Sequence, residues 1–316
     1  MITQDLSQIQ SSLCSGNVVG IPTETVYGLA ANIFNDRAIE LIFETKKRPN
    51  TNPLIVHVHS LAQAKSLVED FPMKAIKLAE QFWPGPLTLI LPKKNCISDL
   101  ITANQPNVAI RIPDHPLTLQ LLASLEFPLA APSANPANRI SPTSARHVEA
   151  YFPEIYTLDG GDCQSGVEST ILSFEGDEVV LLRHGAIAVE SIEDVVGRIL
   201  NRTAGNHGTS SPGSSKKHYS PLCDLIVTYE PLFMLSSIQD KRIGILWFTK
   251  IKIDSPKVEL NHILAPGGTL DEAARNIYEA LHQMEQAGLD LIIVERLPSY
   301  GLGRTINDRL ERAASK

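Results

Sequence analysis

Residues 18–59 read VVGIPTETVYGLAANIFNDRAIELIFETKKRPNTNPLIVHVH, and this stretch decides the fold. Val18 to Ile21 is a short apolar run ended by Pro22, which predicts a strand. Thr23, Glu24 and Thr25 then put three polar side chains in a turn, and Tyr27-Gly28-Leu29 resumes apolar packing. Asn35 or Asp36 suits a helix cap, and Ile39, Ile42 and Phe43 lie on one face at helical spacing. Lys46, Lys47 and Arg48 sit at the end of that helix, and Pro49 stops it. After Asn52-Pro53, Leu54, Val56 and Val58 alternate with Ile55, His57 and His59, a strand with two distinct faces. A polar turn, a cationic helix end and a histidine-bearing strand face therefore come from consecutive elements. In a compact α/β layer the three can converge, and Thr, Lys, Arg, Asn and His together suit an anion with several oxygens. The helix macrodipole alone also favours Lys and Arg at a helix C-terminus, so spacing leaves both readings open.

Outward from this stretch, residues 1–16 predict an amphipathic helix with Leu6, Ile9 and Leu13 on one face. Residues 61–71 and 73–83 read as helices, the second with Ile76, Leu78 and Ala79 inward. Pro84-Gly85-Pro86 breaks it, and 87–91 returns as a strand. Val108, Ile110 and Ile112 alternate with Ala109 and Arg111, so Arg111 points away from the aliphatic face. A leucine-rich helix follows at 116–125, then a brief strand at 128–131 that leads into Pro132-Ser133-Ala134-Asn135. Ser141-Pro142 is expected to open the next helix. Residues 156–159, 168–174 and 179–183 read as strands, and Ser191 with Asp194 resembles a capping box.

Residues 202–217 (RTAGNHGTSSPGSSKK) carry no apolar periodicity and read as a linker. Beyond His218-Tyr219-Ser220-Pro221 a new α/β pattern begins, with strands at 225–229, 243–248 and 291–294 and helices at 270–287 and 304–314. The expected organisation is a catalytic domain at 1–201, a linker or lid at 202–221 and a Rossmann-like α/β domain at 222–316. Gly301-Leu302-Gly303 lacks the third glycine and downstream acid of a dinucleotide loop, so it is a weak cofactor signal.

The chain has 316 residues, 43% hydrophobic and 20% charged, ordinary for a soluble globular protein with two cores. A net charge of −7 gives no global basic field toward nucleic acid or anionic membrane. Cys14, Cys96, Cys163 and Cys223 are scattered without a CxxC pair, which argues against a zinc ribbon or a disulfide framework. Reduced thiols, no basic-then-apolar leader and no run of spanning length lead to a cytoplasmic expectation. No GxxxxGK[ST], HExxH or GxSxG motif occurs, and no Cys/His set has metal spacing. What remains is a cleft of cations and hydroxyls, which favours catalysis by positioning and charge stabilisation.

PTETVYGLA, KKRP, NPLIVH, WPGPLT, APSAN and GVEST occur in this order. Together they resemble the YrdC-like domain of threonylcarbamoyl-AMP synthases. KKHYSP and GLGRTINDRLERA resemble the longer two-domain form, so the resemblance covers nearly the whole chain. It implies a YrdC-like twisted mixed sheet with flanking helices, followed by a smaller Rossmann-like α/β domain. It also implies a nucleotidyltransferase that condenses L-threonine, bicarbonate and ATP into threonylcarbamoyl-adenylate and releases pyrophosphate, with Mg²⁺ carried by the ATP. The product would pass to a separate transferase complex that modifies the adenosine next to the anticodon of ANN-decoding tRNAs. Contact with tRNA itself would be weak or indirect, and no membrane is involved.

By the same match, Lys46 and Arg48 are the catalytic Lys-x-Arg pair, with Arg48 gripping phosphate bidentately and Lys46 as a point charge. ATP contacts map to Arg48, Asn52, Asn107, Ser133, Asn135, Ser141, Arg183 and Tyr219. Threonine contacts map to Thr25 (with Thr23 beside it), His57, Arg111, Ala131 and Ser169. Arg111 is expected to hold the amino-acid carboxylate, which guanidinium geometry suits. Ala131 offers only backbone, Asn107 stands where the family usually has threonine, and Lys216-Lys217 before His218 is a small departure from the linker motif. Ser141 before proline is equally a helix cap. Tyr219 is the contact expected from a linker folded over the cleft as a lid. Two competing readings stand beside this one. One is a carbamoyl-adenylate former of the hydrogenase-maturation type, which carries paired-cysteine zinc fingers that this chain lacks. The other is an RNA-binding module, against which stand the net charge and the absence of an RNP-like motif.

Overall fold

A computed structural model of the chain describes residues 1–203, 218–253 and 255–315. Most of the expected linker and lid, residues 204–217, lies outside the described residues. Chain contacts divide the described part into two units. The first comprises Met1–Ala137, Pro142–Gln164 and residues 168–203; the second comprises Asn138–Ser141, Ser165–Val167 and the described residues from 218 on.

The first unit is an eleven-stranded mixed sheet with helices against it. In chain order its elements begin β1 (Ile2–Thr3), α1 (Leu6–Cys14), β2 (Val19–Ile21), β3 (Gly28–Asn32), α2 (Asp36–Lys46), β4 (Ile55–His57) and α3 (Leu61–Leu67). Next come α4 (Met73–Phe82), β5 (Leu87–Pro92), α5 (Asp99–Thr102), β6 (Asn107–Arg111), α6 (Pro116–Ser124) and β7 (Leu129–Ala130). α7 (Ala145–Tyr151), β8 (Thr157–Leu158), β9 (Thr170–Glu175), β10 (Glu178–Arg183), α8 (Val189–Val196) and β11 (Leu200–Asn201) complete it. The strand order is β1-β8-β2-β3-β7-β4-β6-β5-β9-β10-β11.

One face of the sheet carries the main core. Val56, Leu89, Val108, Ile110 and Leu172 are fully buried there with Ile39 and Ile42 of α2 and Leu78 of α4. Strand residues alternate between faces, so the opposite face carries Ile55, His57, Ala109 and Arg111. The parallel register Ile55↔Ala109 and His57↔Arg111 puts these four side by side.

Helix α2 shows how sequence fixes the local geometry. Asn35 caps it, its side chain accepting from Ala38 N at 3.2 Å. At the other end Lys47 is left-handed (φ 51), Lys47 N–H donates to Glu44 O at 3.1 Å, and Arg48 N–H donates to Phe43 O at 2.9 Å. This paired closure is a Schellman cap, and it throws Arg48 off the helix axis. Asn35→Ala is expected to lower unfolding free energy by about 1 kcal/mol. Urea denaturation checks it, and an unchanged midpoint would contradict the cap.

Five sequence expectations need correction. The first residues are not all helix: β1 pairs in parallel with β8 before Asp5 caps α1. The helical run expected at 61–71 ends at Leu67, because Val68 bridges Lys93 and Glu69 N–H donates to Pro92 O. Ser141 caps nothing. Tyr27 N–H binds the Pro142 carbonyl at 2.9 Å and holds that segment extended, so the helix starts later, capped by Ser144. Ser191 lies inside α8; Ala186 N–H donates to Glu168 O and Ile187 N–H to Thr170 Oγ1, and the helix begins just after these bonds end. In α4 the buried residues are Ala75, Leu78 and Ala79, with Ile76 only partly covered.

The second unit is a four-stranded parallel sheet. Its elements are β12 (Asp224–Thr228), α9 (Pro231–Ser236), β13 (Ile243–Trp247), β14 (Val258–Ile263), α10 (Leu270–Gln286), β15 (Leu291–Glu295) and α11 (Leu302–Ala314). The order β12-β15-β13-β14 is a doubly wound arrangement. β14 has no counterpart in the sequence reading, because its VELNHI run is short of apolar residues and only partly covered. Gly303 is a packing glycine: a Cβ there would lie 1.9 Å from the Pro298 carbonyl oxygen.

Candidate active site

The histidine-bearing face of the first sheet organises the site. His57 on β4 stands beside Arg111 on β6. The register Leu89↔Ile110 brings Thr88 of β5 opposite Arg111. Thr88 pairs with Ile171 of β9, and Ile171 with Arg183 of β10. One row across five strands thus carries His57, Arg111, Thr88, Ile171 and Arg183. The next row is apolar, with Ile55 and Ala109 packed with Ile171, Ile90 and Leu182. Ile90, Ala109 and Leu182 of this group form the wall of a cleft that Asn107, Pro53, Thr102, Gln105 and Ser173 also line. Asn107 and Arg111 are four residues apart, about 13 Å along a strand.

At the Arg111 end, the polar turn quoted above is folded under the guanidinium. Arg111 Nη2 donates to Glu24 Oε1 at 2.6 Å, and Nη1 donates to Thr25 Oγ1 at 3.0 Å. Thr23 donates its hydroxyl proton to Val26 O at 2.7 Å, so the 2.8 Å contact between the two threonines has Thr25 as donor. Arg111, Thr25, Thr23 and Val26 form one directed chain. Glu24 and Arg111 are both almost fully buried.

His57 Nδ1 lies 3.2 Å from Ile55 O, which only accepts, so Nδ1 carries the proton and Nε2 the lone pair. Burial and the neighbouring Arg111 charge push its pKa down to about 3. The unfolded chain takes up a proton near 6.5 and the folded one not until about 3, so acid pulls toward unfolding. Stability is expected to fall as pH drops through that window, by up to about 1.4 kcal/mol per unit. Denaturation midpoints of the native chain and His57→Gln measure it; parallel pH curves would contradict the neutral histidine.

The cationic helix end splits into two roles. Lys46 is 1% exposed, and its ammonium donates to the backbone carbonyls of Ser133 and Asn135. Burial, then the Arg48 charge, hold its pKa well below the usual lysine range. The expected point charge for phosphate is here a clamp on the Ser133–Asn135 loop. Ala137 N–H donates back to Lys46 O at 2.7 Å, and Ser133 bridges Gly28 of β3. Arg48 is half-buried; its Nε and Nη2 donate to Asn52 O at 3.3 Å and Pro53 O at 3.0 Å. Arg48, Asn52, Ser133 and Asn135 therefore belong to two loops fastened to the C-terminal end of α2. Asn135 Nδ2 donates to Pro136 O at 2.9 Å.

A third group sits at β9 and β10. Arg183 Nη2 donates to Ser169 O at 2.8 Å and Ser169 Oγ at 3.0 Å, and Ser169 Oγ lies 2.7 Å from Thr88 Oγ1. A Cβ at Gly185 would lie 2.2 Å from the Ser169 carbonyl carbon, so the turn after β10 rests directly on Ser169. Ala131 N–H donates to Ile55 O at 3.0 Å, so its amide is already used.

Two nominated residues fall in the second unit. Ser141 is buried, and its carbonyl lies 3.2 Å from His282 Nε2. Tyr219, expected over ATP, is 1% exposed: its ring stacks on Tyr278 at 5.6 Å, and the Arg309 guanidinium lies 5.1 Å from it. In this structure Tyr219 is a core residue of the second unit. Glu24 and Thr88 are the site residues missing from the sequence reading. Glu24 lay in plain view in the TET turn, but a charged turn residue reads as solvated unless its buried partner is known.

Among the described residues, no group of three His, Cys, Asp or Glu side chains is placed to hold a metal ion. None of the described helices is long and apolar enough to cross a membrane.

Comparison with known proteins agrees with this architecture. The family described as telomere recombination, that of the Sua5, YciO and YrdC proteins, matches residues 11–185. The family described as threonylcarbamoyl-AMP synthase, C-terminal domain, matches residues 187–315. A threonylcarbamoyl-AMP synthase of Bacillus subtilis (strain 168) is 40% identical over 98% of this chain and 92% of its own. That of Pyrococcus abyssi (strain GE5 / Orsay) is 39% identical over 95% and 91%. A crystal structure of P. abyssi Sua5 complexed with L-threonine has a TM-score of 0.90 at 36% identity, covering 98% of this chain and 94% of that one. In sequence along nearly its whole length, and in fold, the chain belongs to the threonylcarbamoyl-AMP synthase family in its two-domain form.

Proposed function

We propose that this chain is an L-threonylcarbamoyladenylate synthase. It condenses L-threonine, bicarbonate and ATP, releases pyrophosphate, and supplies the activated group for threonylcarbamoyladenosine in tRNA. The observation that carries this reading is the polar row around Arg111, next to a cleft whose wall is Asn107 together with the apolar Ile90, Ala109 and Leu182 on the same sheet face. An amino-acid head fits the first, and the nucleoside part of an adenylate fits the second. The names of the relatives, and the threonine in one of their structures, support it.

In this reading Arg111 and Thr25 hold the amino acid. The neutral amine attacks the bicarbonate carbon and water leaves, giving a carbamate; a carbamate oxygen then attacks the α-phosphate in line with the departing pyrophosphate, whose P–O bond breaks. Charge moves onto that leaving group, and Arg48 meets it with a fork of N–H donors. A magnesium ion held by the nucleotide's own phosphates, and not by protein carboxylates, would add charge neutralisation there. Lys46 acts one step removed, by holding the carbonyls of the loop that presents Ser133 and Asn135. His57 is neutral at working pH, so it orients substrate by accepting a hydrogen bond and does not titrate. Arg183 fixes Ser169 against Thr88. The product goes to a separate transferase complex, and the compartment is the cytoplasm.

The test is pyrophosphate release with ATP, omitting threonine or bicarbonate in turn. Release that needs both supports the reading. Release that ignores threonine, or tight salt-sensitive tRNA binding without any turnover, would overturn it.

A further inference from the structure

Glu24 has no part in the chemistry described so far, yet it is the most deeply committed carboxylate of the first unit. It is 6% exposed, and Oε1 is used by Arg111 Nη2. Its other oxygen, Oε2, is buried with no hydrogen-bond partner among the described residues. On the same ion pair Arg111 Nε is also buried without a partner. Buried polar atoms are nearly always satisfied, so two orphans on one pair call for an explanation. One is an acceptor and the other a donor. An ammonium suits the first and a carboxylate the second, and a free α-amino acid carries both on neighbouring atoms.

The groups around the pair point the same way. Thr25 has its hydroxyl proton on Thr23, so its oxygen can only accept. His57 has its proton on Nδ1, so Nε2 can only accept. Glu24 Oε2, Thr25 Oγ1 and His57 Nε2 are therefore all acceptors, grouped about Arg111. A carboxylate needs only the arginine. A set of acceptors beside it needs a ligand with N–H groups.

We propose that Glu24 is the amine-binding residue of the site, its Oε2 taking an N–H of the substrate's α-amino group while Arg111 takes the carboxylate. This rests on the amino-acid reading above and names a residue outside it. Glu24 then has three functions. It keeps the buried guanidinium paired when no substrate is present, and it selects amino acids over hydroxy acids or plain carboxylic acids. It also sets the direction of the nitrogen that must meet bicarbonate.

The experiment measures binding of L-threonine and of 3-hydroxybutanoate, which is threonine without its amine, to the full chain by calorimetry. The native chain is expected to bind threonine at least about tenfold more tightly than the deaminated acid. Glu24→Gln keeps an acceptor for Arg111 but turns an NH₂ toward the amine. It should lose about tenfold or more for threonine and change little for 3-hydroxybutanoate. Glu24→Asp keeps the charge and withdraws it by one methylene, so it should lose threonine affinity alone and to a smaller extent. Retained ATP binding and cooperative unfolding certify the fold of each variant. If Glu24→Gln or Glu24→Asp keeps native threonine affinity, or loses both ligands equally, the assignment is overturned and Glu24 is structural. If the native chain itself ignores threonine, the amino-acid reading fails and this one with it, a result distinguishable from the variant's behaviour.

Discussion

Arg111→Ala is expected to raise the threonine requirement by about a hundredfold or more while leaving that for ATP nearly unchanged. It should also lower unfolding free energy by about 3–5 kcal/mol, because it strands a buried carboxylate. Both effects come from one geometry. The guanidinium holds Glu24 at 2.6 Å and Thr25 at 3.0 Å, and the pair is almost wholly out of water. An exposed pair of the same length would contribute little; this one leaves a buried charge when broken. Threonine- and ATP-dependent pyrophosphate release, with urea denaturation, separates the two effects. Equal rises for both substrates would contradict the role, and an unchanged denaturation midpoint would contradict the burial argument.

Arg48→Ala is expected to cut pyrophosphate release by about 10²–10³-fold, the usual loss when one donor facing developing charge is removed. Its effect on stability should be small, since the side chain is half-buried and donates to two nearby backbone carbonyls, Asn52 O and Pro53 O. The contrast with Arg111 is the point: one arginine is tied to a buried acid, the other to loop carbonyls beside the Lys46 clamp. Single-turnover assays at saturating ATP measure the loss. Native turnover in the variant would remove Arg48 from the chemistry.

Much of this was legible in the sequence where periodicity and caps agree. Ile39, Ile42 and Phe43 gave α2 its buried face, Asn35 its start, and Pro49 came just after its end. The alternation through Val56 and His57, and through Ile110 and Arg111, gave the strand faces that form the site. Short elements were legible only in part. The two-residue strands β7 and β8 fall within the runs read at 128–131 and 156–159, but β1 and β11, equally short, were missed; they exist only because a neighbouring strand satisfies their backbone. The start of α7 was misplaced because Tyr27, far away in sequence, holds Pro142 extended.

The site shows the same division. Residue types were legible and their partners were not. Lys46 and Arg48 look equivalent in KKRP, yet the left-handed Lys47 sends one inward onto two carbonyls and the other onto the next loop. Glu24 was legible only as one of three polar residues in a turn, and the fold brings Arg111 to it. His57 was legible as a polar residue on one strand face, and only its burial beside Arg111 makes it a neutral, fixed acceptor. Long-range pairing decides each of these, and no local spacing encodes it.

The central claim is that one sheet face of the first unit takes the amino acid at Arg111 and the nucleotide phosphates beside Arg48 and Ser133. A crystal structure with L-threonine and a non-hydrolysable ATP analogue tests it most directly. Triphosphate density within hydrogen-bonding reach of Arg48 and the Ser133 loop, with the amino acid on Arg111, is the expected result. Density for the nucleotide anywhere else on the chain would contradict the account.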